Sequence, residues 1–210
     1  VAIDLDARGY CGSVVTACAA ATNAVGEGFF KIRDGYLDIV VAGGSEASIT
    51  PLAVAGFASM RALSESTDKN RASIPFDKER NGFVMGEGSA VLILEELEHA
   101  LKRNAKIYAE VVGYGNSCDA NHITAPLSDG SGAGKAMLNA INDAGLEPKD
   151  IEYINAHGTS TPLNDKSETL AIKYAFGENY KDVLVSSTKS ATGHLLGASG
   201  AVEALITTLA

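Results

Sequence analysis

The sequence is short of cations and contains no long apolar run, and each shortage excludes a class of protein. Its 17 Lys and Arg residues stand against 26 Asp and Glu residues, which gives a formal net charge of −9. This balance argues against a nucleic-acid binder, because such proteins usually carry a basic excess. No segment approaches the roughly 20 apolar residues of a membrane-spanning helix. We therefore expect neither a nucleic-acid partner nor a membrane span.

Cysteines and cofactor-binding motifs are also scarce. Cys11, Cys18 and Cys118 form an odd set with no paired spacing, so we expect no disulfide framework and a reducing, cytoplasmic location. The histidines are His99, His122, His157 and His194. None has zinc-ligand spacing with the cysteines, and no dinucleotide-binding or P-loop motif occurs. The sequence thus predicts no metal and no nucleotide or redox cofactor.

Length and composition fit a chain with a sizeable core. The 210 residues are 46% hydrophobic and 20% charged, enough for one α/β domain or two small ones. Strand-like runs alternate with helical ones, which predicts a layered α/β architecture. The predicted strands are Asp38–Ala42, Ala90–Leu94, Ile107–Tyr114, Ile151–Asn155 and Val183–Ser187, and the predicted helices are Glu95–Arg103, Gly134–Ala144 and Ser167–Phe176.

The two ends and an internal repeat indicate part of a larger, duplicated fold. The chain begins at Val1, and its last residues keep a helical spacing with no stop signal, so we expect an internal part of a longer polypeptide. Ser13–Ile32 and Val183–Leu209 each combine a strand, small residues and an amphipathic helix. We expect equivalent elements whose helix starts face one another; chance similarity is the alternative.

Cys18 lies where an apolar run gives way to a row of alanines. Val14–Thr16 predicts a short strand and Ala17–Ala21 the start of a helix, so the thiol lies at their junction. The first turn of a helix has unpaired N–H groups and a partial positive charge, which stabilises a thiolate. Cys18 is therefore a candidate nucleophile, and an inert core thiol is the alternative.

Two histidines stand in segments that could supply partners for such a thiol. His157 follows a predicted strand, where open α/β sheets commonly place functional groups, and Thr159 and Thr161 add hydroxyls. Lys189 and His194 lie together between a predicted strand and the last helix, among small neutral residues. The alternatives are a structural histidine with capping threonines and a solvated lysine.

Three motifs in this order resemble those of the β-ketoacyl-acyl-carrier-protein synthases, and most of all the elongating synthase II type. They are Thr16-Ala17-Cys18-Ala19, His157-Gly158-Thr159-Ser160-Thr161 and Lys189-Ser190-Ala191-Thr192-Gly193-His194-Leu195-Leu196-Gly197. The resemblance extends through essentially the whole chain and includes Pro75-Phe76-Asp77-Lys78-Glu79-Arg80. It implies a thiolase-like αβαβα fold, here incomplete. Residues 1–105 would be the latter part of the amino-terminal half, and residues 106–210 the first part of the carboxyl-terminal half.

The resemblance also implies roles for individual residues. Cys18, His157, His194 and Lys189 match the catalytic group, with Glu203 as structural support near the lysine. Thr159 and Thr161 match positions that hold the phosphopantetheine arm. The other matches are Phe57 in the acyl pocket, Thr124 in a loop beside the site and Arg61 as a contact for the carrier protein. Lys69, Arg71, Lys78 and Arg80 add a basic region that could help docking of an acidic carrier, or could serve only solubility.

The implied activity is the decarboxylative condensation of a malonyl thioester with an acyl group held on Cys18, which elongates fatty acids without a metal or redox cofactor. The implied partners are acyl carrier protein and, in the full-length protein, a second copy of the chain. We expect the 210 residues alone to be inactive, because a family loop that supplies an oxyanion donor is absent.

Other interpretations remain open at this point. A ketosynthase domain of a polyketide synthase would keep the fold and the reaction. A degradative thiolase would lack the motif from Lys189 to His194. A non-catalytic chain-length partner subunit usually lacks the nucleophile, so Cys18 argues against it. A pure binding module would make the three motifs a coincidence.

Overall fold

The computed structural model describes all residues, 1–210, and divides into two compact units built from separated stretches of chain. The first unit comprises Val1–Glu46, Ser89–Glu110 and Leu196–Ala210, and the second comprises Ala47–Gly88 and Val111–Leu195. The helices are α1 (Ala20–Arg33), α2 (Pro51–Ser59), α3 (Leu97–Lys102), α4 (Ser131–Asp143), α5 (Pro162–Phe176), α6 (Lys189–Thr192) and α7 (Ser199–Leu209). The strands are β1 (Ile39–Glu46), β2 (Gly88–Glu95), β3 (Tyr153–Asn155) and β4 (Leu184–Ser186).

The first unit packs α1 and α7 against the sheet formed by β1 and β2. Its small core joins Ala21 of α1, Ala90 of β2 and Ala201 of α7, with Leu92 and Val202 beside them. Alanine favours helix and lets helices approach closely, which is why this alanine-rich sequence forms tightly packed helices. None of the seven helices combines the length and the apolar composition that a membrane-spanning helix requires.

The internal repeat predicted from the sequence is confirmed in its helical part. Both α1 and α7 follow a 3-10 turn whose first residue has a positive φ, 51° at Ala17 and 46° at Leu196. The two helices pack against each other at their first turns, where Gly200 lies against Thr22. The two motifs that carry Cys18 and His194 therefore lead into matching turn-helix elements.

The second unit is organised around a short parallel sheet. Strands β3 and β4 pair in register from Tyr153 with Leu184 to Asn155 with Ser186. Helices α4 and α5 pack on each other and bury Ile141, Ile172 and Phe176. The helical spacing of these apolar residues explains why local sequence pattern was sufficient to predict both helices.

Three local predictions are wrong. Ile107–Tyr114 and the run before Cys18 form no strand, although both have strand-like composition. A strand must pair its backbone N–H and C=O groups with a neighbour, and no strand of the chain pairs with either segment. Strand β1 also continues through Gly43 to Glu46 instead of ending at the glycines. A Cβ at Gly43 would lie 2.2 Å from the Ala90 carbonyl oxygen, so this glycine permits close strand contact and is not a stop signal.

Candidate active site

Cys18 lies in a strained turn of the first unit, directly ahead of α1. The turn spans Ala17–Ala19, and Ala17 adopts a φ of 51°. A left-handed conformation is costly for a residue with a Cβ and persists only where the surroundings impose it. The Cys18 side chain is half-buried. The predicted position at a helix start is confirmed, although the preceding segment is not a strand.

Small residues hold the Cys18 turn against the start of α7. The turn contacts the matching 3-10 turn at Leu196–Ala198. Nearby, the Gly197 N–H donates to the Glu46 carboxylate over 3.1 Å. A Cβ at Gly44 would lie 2.9 Å from the Ala21 Cβ and 3.0 Å from the Gly197 carbonyl oxygen. The predicted structural residue Glu203 lies half-buried on α7 in the same unit.

His157 belongs to the second unit and lies two residues beyond β3, as the sequence predicts. Its backbone is fixed by Glu168 of α5, whose two carboxylate oxygens each accept one N–H, from His157 and from Gly158, over 2.7 Å. Gly158 has a φ of 38°, and a Cβ there would lie 2.5 Å from the Ser187 Cβ. The loop can therefore turn sharply only with glycine at this position.

Glu168 is a site residue that sequence reasoning missed. Burial raises the pKa of its carboxyl group, while the two backbone N–H groups act in the opposite direction. It follows His157 by eleven residues and lies in a helix whose other acidic residue near this end, Asp165, is also buried. The only signal in the sequence was that two acids, Asp165 and Glu168, occur near the start of the helix that follows the His157 loop.

His194 is brought next to His157. Its backbone N–H donates to the Val84 carbonyl over 2.7 Å, and its own carbonyl accepts from the Gly86 N–H over 2.9 Å. The ring centroids of His157 and His194 lie 5.1 Å apart with an interplanar angle of 86°. Two imidazoles that are 37 positions apart in the sequence therefore share one site.

Lys189 is the largest fully buried side chain of the chain, with 1% of its surface exposed. Its Nζ lies 3.3 Å from the His157 Nδ1. The alternative of a solvated surface lysine is therefore wrong. An ammonium group at this distance donates to the ring nitrogen, which leaves the proton of a neutral His157 on Nε2.

The surroundings keep both imidazoles neutral. Burial, then the Lys189 charge, then His194 hold the pKa of His157 well below its usual value of 6.5. Burial and then Lys189 lower the pKa of His194 to about 3. A neutral imidazole offers one N–H donor and one lone pair, so this pair can donate hydrogen bonds to a developing oxyanion.

The predicted substrate-binding residues of the second unit fall into two groups. Thr159 and Thr161 belong to the His157 loop, and their hydroxyl oxygens are 2.8 Å apart. Phe57 of α2 packs edge-on against Phe83 at 5.2 Å, and Phe83 packs in the same way against His194 at 5.2 Å. The hydroxyl pair therefore lies on the loop that carries His157, and Phe57 is connected to His194 through Phe83, a further residue that the sequence did not single out.

Thr124 and Arg61 are exposed instead. The Thr124 N–H and its neighbour's N–H donate to the His122 Nδ1, which shapes an exposed loop. Arg61 follows α2 in a left-handed conformation with a φ of 54°. No hydrogen bond or ion pair joins either side chain to the histidine pair, so their roles stay predictions.

The basic region predicted from the sequence is partly neutralised. Arg71 forms ion pairs with Asp77 and Glu79 at 3.3 and 2.6 Å. Arg80 is mostly buried and pairs with Asp165 at 3.5 Å. Two of the four cations are therefore engaged within the protein and are poorly placed to attract an acidic carrier.

Comparison with known proteins identifies the family of the chain. The family model for the beta-ketoacyl synthase N-terminal domain matches residues 1–100, and that for the C-terminal domain matches residues 108–210. The chain is 59% identical over 210 residues to 3-oxoacyl-[acyl-carrier-protein] synthase 2 of Synechocystis and 54% identical over 209 residues to the synthase 2 of Staphylococcus aureus. It spans about half the length of these relatives, 50% and 52%.

A solved structure extends the agreement to the fold. A type II polyketide synthase acyl-carrier protein in complex with its ketosynthase contains a chain that matches with a TM-score of 0.96 and 40% identity, covering 99% of this chain and 52% of that one. The architecture is therefore an incomplete, thiolase-like α/β fold. The chain belongs to the beta-ketoacyl synthase family.

Proposed function

We propose that the protein containing this chain is a 3-oxoacyl-[acyl-carrier-protein] synthase that elongates fatty acids. The observation that carries the proposal is the pair of neutral imidazoles, His157 and His194, held together beside the buried Lys189. Relatives of the same name at 59% and 54% identity support it. The proposal requires the acyl group on Cys18 to meet this pair in the complete protein.

In the first half-reaction Cys18 takes the acyl group. Its thiolate attacks the acyl thioester, the new carbon–sulfur bond forms, and the bond to the phosphopantetheine sulfur breaks so that the carrier thiol leaves. The acyl group passes from one sulfur to another, so reactant and product are both thioesters of similar energy. A cysteine thiolate is therefore a suitable nucleophile for this transfer. The position of Cys18 ahead of α1 places it at the positive end of a helix of 14 residues.

In the second half-reaction a malonyl thioester loses carbon dioxide. The bond between its carboxylate carbon and the adjacent methylene carbon breaks, and the electron pair forms an enolate whose charge lies on the thioester oxygen. Neutral N–H groups of His157 and His194 donate to that oxygen, and these hydrogen bonds strengthen as its negative charge develops. The enolate carbon then attacks the acyl carbonyl on Cys18, and the thiolate leaves to give a 3-oxoacyl thioester.

The remaining predicted residues bind the substrate or its carrier. The hydroxyl pair of Thr159 and Thr161 would hold the phosphopantetheine arm, and Phe57 would border the acyl chain. Thr124 would contact substrate, Arg61 would contact the carrier protein, and Glu203 would support the site. We also propose a cytoplasmic homodimer that uses no metal or redox cofactor. Without the rest of the protein, the 210 residues would be inactive.

A ketosynthase of a polyketide assembly is the second candidate. The match to a ketosynthase in complex with a polyketide acyl-carrier protein, with a TM-score of 0.96, favours it. Both candidates carry out the same bond changes, and they differ in the primer and in the number of extensions. One extension of a saturated acyl primer supports the first candidate, whereas repeated extension without reduction supports the second.

The nucleophile can be tested by covalent labelling. We expect the full-length protein treated with cerulenin, a thiol-directed inhibitor of condensing enzymes, to carry one adduct on the peptide containing Cys18. The Cys18→Ala variant should carry none, and the Cys118→Ala variant, in which an exposed cysteine is removed, should be labelled normally. An adduct on Cys11 or Cys118 that persists in Cys18→Ala would contradict the proposal.

A further inference from the structure

Residues 73–83, here called the strap, cross the segments that carry the histidine site. At one end the Ser73 hydroxyl donates to the Lys189 carbonyl over 2.6 Å. The Ile74 N–H donates to the Ser160 hydroxyl oxygen over 3.0 Å, and the Gly82 N–H donates to the Ser160 carbonyl over 3.0 Å. The strap therefore contacts both the lysine and the loop between His157 and α5.

Arg80 is the central contact of the strap. Its guanidinium donates to the Thr161 carbonyl over 3.2 Å, to the Pro162 carbonyl over 3.0 Å and to the Asp77 carbonyl over 2.8 Å. Asp165, whose side chain is 1% exposed, supplies the countercharge at 3.5 Å. The planar guanidinium presents five N–H donors in a rigid fork, whereas a lysine ammonium presents three donors on a flexible stem and would not hold the same three carbonyls in fixed directions. The site loop is thus fixed by a cation that was expected to lie on the surface.

The loop that Arg80 contacts contains a buried residue in a strained conformation. Ser160 is completely buried and has a φ of 69°, a conformation that costs free energy for a residue with a Cβ. It stands between Thr159 and Thr161, whose hydroxyl oxygens are 2.8 Å apart. The orientation of the Thr161 peptide, which Arg80 fixes, therefore determines how the two hydroxyls face a ligand.

We propose that Arg80 is a positioning residue that aligns the Thr159–Thr161 hydroxyl pair for the phosphopantetheine arm of both thioester substrates. Arg80 does not touch the substrate and acts through the Thr161 backbone. This inference rests on the proposed function, because it takes the hydroxyl pair as the site for the arm. It assigns a role in substrate binding to the strap motif, which the chemistry at Cys18 and the histidines leaves unused.

The test compares Arg80→Lys and Arg80→Ala with Arg8→Ala in the full-length protein, using purified malonyl- and acyl-carrier protein. Arg8 is the control because it is an exposed arginine that pairs with Asp6 and has no role in the proposed function. Loss of well-placed binding hydrogen bonds should raise KM about tenfold with kcat nearly unchanged. Alkylation of Cys18 by iodoacetamide, which needs no pantetheine arm, should keep its rate. Arg8→Ala should leave all three values unchanged.

A double variant separates positioning from general loosening. If Arg80 acts through Thr161, adding Arg80→Lys to Thr161→Ala should raise KM by less than about twofold, because coupled residues are not additive. An unchanged KM in Arg80→Lys would overturn the inference, and so would an equal loss of kcat and of the alkylation rate. A wild-type protein with no condensation would instead overturn the proposed function, so the two failures are distinguishable.

Discussion

At the scale of single residues, the proposed chemistry depends on keeping two imidazoles uncharged. His157 and His194 are held neutral first by burial and then by the positive charge of Lys189. A charged imidazolium would pair with the malonyl carboxylate and stabilise the ground state, which lowers the benefit in the transition state. The positive charge of the buried lysine therefore lowers the pKa of both histidines and helps to keep them neutral.

Replacing Lys189 should raise the pKa of His157. We expect the Lys189→Met variant to retain a His157 pKa below 6.5, because burial is the larger cause and remains. The measurement is a proton NMR titration of the imidazole signals in the full-length protein. Lys173→Met, which removes an exposed lysine of α5, is the control and should leave the titration unchanged. A His157 pKa that stays constant or falls in Lys189→Met would show that the lysine charge does not control it.

Removing one oxyanion donor should slow condensation without blocking acylation. We expect His194→Ala to lower kcat by about 10²–10³, and His194→Asn, which keeps an N–H donor, to lose less. Acyl transfer to Cys18 from acyl-carrier protein, measured in a single turnover, should be retained in both variants. His99→Ala, on α3, serves as the control. Equal losses in the Ala and Asn variants would contradict a hydrogen-bonding role.

The sequence predicted most residues of the histidine site because their motifs are local. The segments at His157 and Lys189–His194 each stand after a strand, and the structure confirms both placements. The sequence did not predict the side chains that distant segments bring to the site, such as the Glu168 carboxylate and the Phe83 ring. Their proximity to the histidines depends on packing between segments that are far apart in the chain. The same limit explains why Arg80 was expected on the surface.

At the scale of secondary-structure elements, α5 fixes the backbone of the loop that carries His157. One carboxylate of this helix accepts both the His157 and the Gly158 N–H. An amide at the same position has a single acceptor oxygen, so one backbone N–H would then face an NH₂ group. The geometry of the loop therefore depends on the ionised carboxylate of Glu168.

Replacing that carboxylate should destabilise the fold. We expect Glu168→Gln to lower the free energy of unfolding by about 1–3 kcal/mol, the cost of one unsatisfied buried donor. Urea unfolding of the full-length protein provides the measurement. Glu178→Gln, an exposed change of the same kind in the following turn, should have little effect. A stability loss no larger than that of the control would mean that Glu168 does not anchor the loop.

Helices were easier to predict than strands for a physical reason. The spacing that buries Ile172, Ala175 and Phe176 is a property of α5 itself, whereas a strand is defined by its partner. Ile107–Tyr114 has the alternation of a strand but pairs with no other strand of the chain. The run before Cys18, which was also predicted to be a strand, pairs with no other strand either. The helix predicted after it is present as α1.

At the scale of the whole molecule, the neutral histidines make stability sensitive to acid. An unfolded histidine binds a proton below its usual pKa of 6.5, whereas folded His194 does so only near a pKa of about 3, and folded His157 also well below 6.5. Between these values the unfolded state binds more protons, so the free energy of unfolding falls as pH falls. Above pH 6.5 the histidines are neutral in both states, so this loss of unfolding free energy does not occur.

We expect the free energy of unfolding of the full-length protein to decline as pH falls below 6.5, by at most about 1.4 kcal/mol per pH unit for each of the two histidines. The double variant His157→Gln/His194→Gln should show a shallower decline over the same window. Urea unfolding at several pH values measures both slopes. Identical slopes would mean that the two imidazoles are not held neutral in the folded state.

The whole proposal depends on an enolate oxygen that accepts hydrogen bonds from His157 and His194 next to an acyl group on Cys18. The most direct measurement is a crystal structure of the full-length protein, acylated on Cys18 and bound to a non-hydrolysable malonyl-thioester analogue. We expect the thioester oxygen of the analogue to lie within about 3.2 Å of a nitrogen of each imidazole, with its methylene carbon facing the acyl carbonyl. Histidine rings that line a cavity separate from the acylated thiol would contradict the mechanism.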